Sequence, residues 1–267
     1  QIREDFALNK EAQKFRLLSP LEQERRISDI ITQAEHTPQE DGSLLQKRLS
    51  MFQGIATTAK QRAINDPVGQ IQSQTGKQLY KPKPEEIGTG KIDFKQAQLT
   101  TALLTENQKN NGGVGSLIAW NSTERKAFTD KYFDSSPQQQ RAILTDLTRI
   151  SANNKDAMKE YFTLIGGEKN AYDYMGIAHL NKLDVTLHGT SIRAADLALE
   201  GKQAINNHQS DVFGKQKDFE TIIAPEFGNT SSKGTNEFRS YNNLAYSIYT
   251  GLAKRNPERV RTDGEGK

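Results

Sequence analysis

No cysteine occurs among the 267 residues of this sequence. Its absence excludes disulfide bonds and metal sites built on thiolates, and it leaves the redox compartment open. Hydrophobic residues make up only 34% of the chain and the mean hydropathy is −0.76, which is polar for a compact globule of this length. We therefore expect a thin, elongated assembly of helices with little interior.

Long apolar runs are also missing. None approaches the roughly 18 consecutive apolar residues that a membrane-spanning helix needs, so no integral membrane segment is predicted in this chain. No signal-peptide pattern is present either. The first residue is Gln1 and the sequence opens inside a helical pattern, so we expect the chain to be a piece of a longer protein.

Residue patterns that carry chemistry are few. The four histidines do not pair at helical spacing and do not predict a metal site; they are His36, His179, His188 and His208. We expect His179 to be a partly buried packing residue. Gly112-Gly113-Val114-Gly115 lacks the Lys-Ser/Thr that follows a phosphate loop, and it predicts a flexible connection between helices. No catalytic, cofactor-binding or metal-binding residue is predicted, no cofactor is expected, and the chain is interpreted as non-enzymatic.

The charge pattern likewise predicts no strong nucleic-acid-binding surface. The formal net charge is +3, with basic and acidic residues mixed along the chain. A nucleic-acid surface usually shows a concentrated basic stripe, so at most a weak contact with DNA is expected.

What the sequence does contain is a series of helix-start signals. Ser19, Thr37 and Ser136 each precede a proline and stand three residues before a glutamate or glutamine, which is the pattern of a capping box. Asn121 and Glu124 form a similar pair. Between these starts, apolar residues recur at spacings of three and four, and we find no convincing strand alternation. The fold class predicted is all-α, an elongated multi-helix bundle with an N-terminal helical hairpin.

The third predicted helix carries an apolar seam spaced alternately by four and three residues. Its members are Leu45, Leu49, Phe52, Ala56, Ala59 and Ala63. The favoured interpretation is an antiparallel hairpin in which the helix over residues 20–36 covers this seam. The alternative is an intermolecular coiled coil.

Domain limits follow from composition and breaker residues. Residues 1–66 are predicted to form the hairpin, or arm, which Asp66-Pro67 ends. Residues 67–118 form a polar connection with one helix over 93–110, and within it 67–92 is expected to be extended. Residues 119–256 form a helical bundle, and 257–267 a disordered tail.

Within the bundle, the segment over residues 120–205 holds several short amphipathic helices, and Trp120 is interpreted as a core anchor. Gly166-Gly167 can supply the positive φ that ends one helix. Buried stripes are predicted in the helix that Ser136 starts and in the segment after Gly167, at Ile143, Leu144, Leu147 and Ile150 and at Ala171, Tyr172, Met175 and Ala178. One helix is expected to begin at Ile192, and another to cover residues 212–223. The last helix is predicted to bury Phe238, Tyr241, Ala245, Ile248 and Leu252. Tyr246 is expected to be exposed at a partner surface.

The order of these pieces resembles a known class of proteins. Asp66-Pro67 is followed by a polar connection and then by the segments RAILTDL at 141–147, YFTLIGG at 161–167, ADLALEG at 195–201 and YNNLAYSIYTGLAKR at 241–255. Over roughly residues 45–255 the chain is similar to helical regions of internal virion or tail-associated proteins of tailed phages and prophages. Those proteins are linked to DNA ejection, and some carry a separate lytic transglycosylase domain.

The resemblance implies a structural or interaction region of a phage virion protein, involved in genome ejection. It implies sister copies or other virion proteins as partners. The implied location is the virion, assembled in the bacterial host cytoplasm, with delivery to the host envelope during infection. The transglycosylase signature is absent, and AYDYMG at 171–176 resembles only its later motif, so no catalytic residue is carried over. Two alternatives remain: an accessory fragment of a peptidoglycan-degrading virion protein, and a bacterial helical adaptor domain.

Overall fold

The architecture is all-α, as the sequence predicts. A computed structural model describes residues 2–36, 42–187, 189–207, 216 and 236–256. This part of the chain contains ten α-helices, two 3₁₀-helices and one antiparallel β-hairpin. None of its helices is both long enough and apolar enough to span a bilayer. The α-helices are α1 Ile2–Arg16, α2 Pro20–His36, α3 Gly42–Asn65, α4 Pro67–Thr75, α5 Phe94–Asn110, α6 Ser122–Asp134, α7 Pro137–Ile150, α8 Lys155–His179, α9 Ala194–Asn206 and α10 Asn236–Arg255; the 3₁₀-helices are Pro84–Glu86 and Leu180–Lys182, and the strands are β1 Asp184–Leu187 and β2 Thr190–Arg193.

Contacts group the described residues into two compact units. The first unit takes its residues from 1–82 and 93–126, and the second from 83–92 and 127–267. Two predicted features lie outside the described residues: the tail over 257–267 and, apart from the helical Gln216, the helix over 212–223.

Three of the predicted helix starts are confirmed. The Ser19 hydroxyl accepts the N–H of Glu22 at 3.3 Å, and the Glu22 carboxylate accepts the N–H of Ser19 at 2.8 Å. These hydrogen bonds lower the pKa of Glu22, the backbone bond contributing most. Asn121 and Ser136 begin α6 and α7 with the same reciprocal pairing. The start predicted at Thr37 lies outside the described residues.

The core of the first unit covers the predicted seam of α3. Its buried residues come from α1, α2 and α3, and they are Leu8, Ala12, Phe15, Ile30, Phe52 and Ala56. The rings of Phe15 and Phe52 stack with centroids 4.2 Å apart. An ion pair joins Glu24, near the start of α2, to Lys60, near the end of α3, so these two helices run antiparallel.

Helix α4 corrects the extended connection predicted over residues 67–92. Asp66 both follows α3 and caps α4, because its carboxylate accepts the N–H of Gly69 at 3.2 Å and Pro67 stands at the first helical position. Val68 and Ile71 are buried. The same Asp-Pro pair thus ends one helix and begins the next, and the polar composition of 67–75 concealed the second helix.

The β-hairpin corrects the expectation of no strands. Val185 pairs with Ile192, which the sequence analysis assigned to a helix. Gly189, with φ of 77°, supplies the left-handed backbone that the tight connection needs. Strands of four residues are too short to show a clear alternation, and α9 begins only at Ala194.

In the second unit, α7 buries its predicted stripe and α8 changes phase at a kink. Gly167 has the expected positive φ, 66°. Beyond it, α8 buries Tyr174 and Ile177, whereas Tyr172, predicted on the buried stripe, is exposed. His179 is also exposed rather than partly buried. The kink lies where the sequence predicts a helix end, and the segment beyond it buries a face that carries Tyr174 and Ile177 in place of Tyr172.

Helices α9 and α10 approach each other through glycines. A Cβ atom added to Gly201 would lie 1.7 Å from the Ser247 carbonyl oxygen, and one added to Gly251 would lie 2.1 Å from the Leu197 carbonyl oxygen. Such backbone proximity leaves room for small side chains only. The stripe predicted for α10 is correct at Phe238, which is 4% exposed, and wrong at Tyr241, which is 50% exposed. Tyr246, expected at the surface, is 3% exposed.

We expect Gly201→Ala to destabilise the second unit. The new methyl group would overlap backbone atoms of α10, which cannot rotate away, and overpacking of this kind costs about 1–3 kcal/mol or more in the free energy of unfolding. Gly54→Ala is the matched control. A Cβ there meets no atom within 4 Å, so this change in a helix interior should stabilise the chain by roughly 0.5–1 kcal/mol. Urea unfolding measures both; equal effects would contradict the close contact.

Candidate functional site

The first unit has a groove bounded by α3 and α4 and by the residues where α1 ends and α2 begins. Its volume is about 710 Å³, within the range of sites that bind small molecules or short peptide segments. The residues that line it are Arg16, Leu17, Gln23, Met51, Gly54, Ile55, Thr58, Ala59, Arg62, Gln70, Ser73 and Gln74. We call this feature the α3–α4 groove.

Apolar side chains and a glycine form much of the groove wall. Leu17 is exposed, although it is a large aliphatic residue, and Met51 and Ile55 are partly exposed. Gly54 lies on α3 with open space where a side chain would stand, since an added Cβ meets no atom within 4 Å. The groove is therefore open at Gly54, and a side chain added there would extend into this open space.

Two buried glutamine amides line the same groove without full hydrogen bonding. Gln23 donates from Nε2 to the Phe15 carbonyl at 3.0 Å, but its Oε1 accepts no hydrogen bond. Gln70 is 3% exposed, and no protein group pairs with its Nε2 or its Oε1. Buried amides are nearly always hydrogen-bonded, because leaving one unpaired costs about 1–3 kcal/mol. Three unpaired polar atoms in one groove are therefore unusual.

The charge of the groove has one sign. Arg16 and Arg62 are exposed on its lining, and none of the lining residues in the described part of the chain is acidic. The two guanidinium groups make the groove positively charged.

A polar cluster in the second unit differs from the groove because its groups are paired. Asp173, which is 2% exposed, accepts hydrogen bonds from Lys202 at 2.9 Å, Ser240 at 2.8 Å and Asn243 at 3.1 Å. The Lys202 ammonium lies 4.9 Å from the ring centroid of Tyr174. Burial, with the charge of Asp173 added, raises the pKa of Tyr174. The cluster joins α8, α9 and α10 and borders a cavity of about 250 Å³.

A second set of polar contacts fixes residues 83–92 to α6 and α7. Lys131 donates to the carbonyls of Glu85 at 2.8 Å and Ile87 at 2.6 Å. Asp146 accepts the N–H of Gly88 at 2.7 Å. Burial lowers the pKa of Lys131. It also raises the pKa of Asp146, outweighing the opposing effects of the Gly88 hydrogen bond and of nearby cations.

The residues that the sequence analysis singled out do not converge. Trp120 is fully buried and donates from Nε1 to the Pro82 carbonyl at 2.7 Å, so its interpretation as a core anchor is confirmed. Gly112 and Gly113 have positive φ in the turn that follows α5. His188 and His208 lie outside the described residues. Within the described part of the chain, no group of three or more histidine, aspartate or glutamate side chains is placed to hold a metal ion.

Sequence reasoning missed the α3–α4 groove. Gln23 and Gln70 lie in polar helical segments, where a glutamine is ordinarily predicted to be exposed to solvent. Their burial depends on the presence of α4, which composition concealed. Two exposed arginines and an exposed leucine give no signal by themselves.

Comparisons with known proteins give no assignment. No protein-family model matches the chain, and neither the curated proteins nor the solved structures contain a match to it.

Replacing Gln70 by leucine should stabilise the first unit. The substitution removes a buried amide that has no partner and keeps a side chain of similar volume, so we expect the free energy of unfolding to rise by about 1 kcal/mol. Gln140 is the matched control, since it is also 3% exposed but donates to the Tyr132 carbonyl at 3.0 Å. Gln140→Leu should lower stability by roughly 1–3 kcal/mol. Urea unfolding measures both variants, and a loss of stability in both would contradict the expected difference between the unpaired Gln70 and the paired Gln140.

Asp146→Asn should remove a pH dependence of stability. A carboxyl whose pKa is raised by folding binds its proton more tightly in the folded chain. The stability that this carboxyl group contributes is therefore present at acid pH. It is lost as the pH rises from 3.8, the ordinary pKa of an aspartate, through the raised pKa of Asp146 in the folded chain. The amide oxygen of the variant can still accept the N–H of Gly88.

Unfolding in urea at several pH values checks this expectation. The variant should exceed the wild type in stability at neutral pH, and the difference should shrink below pH 3.8. A difference that stays constant over this range would show that the charge of Asp146 is not the cause.

Proposed function

We propose that this chain is a non-enzymatic structural and interaction region of a phage virion protein, internal or tail-associated and involved in genome ejection. It would act by holding sister copies or other virion proteins through its helical surfaces. The α3–α4 groove carries the interaction part of this proposal, because it combines an open apolar wall with buried amides that have no partner.

Two further observations support the proposal. The order of helical segments over residues 45–255 resembles that of internal and tail-associated virion proteins. The buried charge of Asp173 is fully engaged in joining three helices, which suits a structural role better than proton transfer. Assembly in the host cytoplasm and delivery to the host envelope remain part of the proposal.

The test is incorporation of the chain into particles. Particles are induced from a strain that carries the gene, purified on a density gradient and digested for mass spectrometry. We expect peptides of this chain to sediment with the capsid proteins, at a constant ratio across the particle peak.

Gly54→Leu, introduced into the same gene, tests whether incorporation into particles depends on the α3–α4 groove. It should lower the ratio of the chain to the capsid proteins, because it fills the groove. Gly42→Leu is the matched control, since a Cβ there also meets no atom within 4 Å and Gly42 does not line the groove. Recovery of the wild-type chain only outside the particles would overturn the virion proposal.

A further inference from the structure

We propose that the α3–α4 groove binds an extended, acidic segment of a partner polypeptide. Apolar side chains of that segment would lie along α3, and a carboxylate would pair with the arginines. This inference rests on the proposed function in so far as the partner belongs to the same assembly. The groove chemistry stands independently of where the protein is located.

The unpaired amides determine the conformation of the occupant. Gln23 offers an acceptor, and Gln70 offers one donor and one acceptor. An extended peptide presents unpaired backbone N–H and C=O groups along its length. It can pair with these atoms once the two glutamine side chains, whose amides are buried in the free chain, turn into the groove. A helix engages these groups internally, so an apolar helix docked in the groove would leave the amides of Gln23 and Gln70 unpaired.

The charge determines the side-chain chemistry. Arg16 and Arg62 line the groove, and none of the described lining residues is acidic, so an anionic group in the groove is attracted by two cationic side chains. Guanidinium groups bind carboxylates in a bidentate manner. The occupant therefore carries aspartate, glutamate or a C-terminal carboxylate.

The apolar wall distinguishes a peptide from a nucleic acid. Met51 and Ile55 come from successive turns of α3, and Leu17 faces the groove from the end of α1. Aliphatic side chains of this kind bury apolar residues of a partner. The lining residues that the structure describes include no aromatic ring on which a base could stack, and stacking is the usual contribution to binding of a single strand.

Selection of peptides on the purified full chain tests the proposal. A yeast-displayed library of random heptapeptides is selected for binding to the wild-type chain and counter-selected against Gly54→Leu. We expect enriched sequences to combine an aspartate or glutamate with neighbouring aliphatic residues. Enriched peptides are then synthesised with a fluorescein label, and their Kd values are measured by fluorescence anisotropy.

The variants separate the contributions of the groove. Gly54→Leu should weaken binding by at least about tenfold, whereas Gly42→Leu should change the Kd by less than about twofold. Gln70→Leu should weaken binding by roughly tenfold through the loss of two hydrogen bonds, although the variant folds at least as stably. Arg62→Gln should weaken binding and reduce its dependence on salt.

Several outcomes would overturn the inference. They are a selection without Gly54-dependent sequences, enriched peptides without acidic residues, and binding that Gln70→Leu leaves unchanged. Tighter Gly54-dependent binding of a fluorescent oligothymidylate than of any selected peptide would assign the groove to nucleic acid instead. Circular dichroism of each variant controls for loss of folding. Because these measurements use the isolated chain, their failure is distinct from a failure to find the chain in particles.

Discussion

Scarcity of apolar side chains is the constraint on which this structure depends. With 34% hydrophobic residues, the helices cannot be held by large apolar contacts alone, so polar groups enter the interior. A buried polar group destabilises the fold unless it finds a partner. Asp173 finds three donors, and Lys131 finds backbone carbonyls. Where side chains are too few or too small, as between α9 and α10, backbones approach through Gly201 and Gly251 instead.

That constraint explains which parts of the fold could be predicted. Helix starts depend on neighbouring residues, so the capping pairs at Ser19, Asn121 and Ser136 were readable from sequence. The buried stripe of α7 was readable because its residues are large and regularly spaced. The buried face of α10 was readable only at Phe238, since the close backbone contact at Gly251 places small residues such as Ser247 in the interface with α9. The periodicity of hydrophobic residues indicates which large apolar side chains are buried, but it does not indicate where two helix backbones lie close together.

The candidate site was beyond the reach of sequence reasoning for a related reason. The burial of Gln70 depends on α4, whose start is hidden in the Asp66-Pro67 pair that also ends α3. A glutamine amide carries no mark in the sequence that separates a surface residue from a buried one. Whether a buried amide is hydrogen-bonded depends on the tertiary structure. Gln140 and Gln70 are equally buried, and only the packing around them determines that Gln140 finds hydrogen-bond partners in the protein and Gln70 does not.

The contrast between those two glutamines gives the groove its significance. Gln140 donates to a backbone carbonyl at the junction of α6 and α7, which accounts for its presence by stability alone. Stability does not explain the presence of Gln70, because an apolar residue of the same size would give the first unit a higher free energy of unfolding. Its buried amide borders the groove that aliphatic residues and two arginines line, and the proposed polypeptide segment would supply the missing hydrogen bonds once the side chain turns into that groove. A polar group that weakens the isolated fold and completes a complex is expected where binding, and not folding, determines the residue.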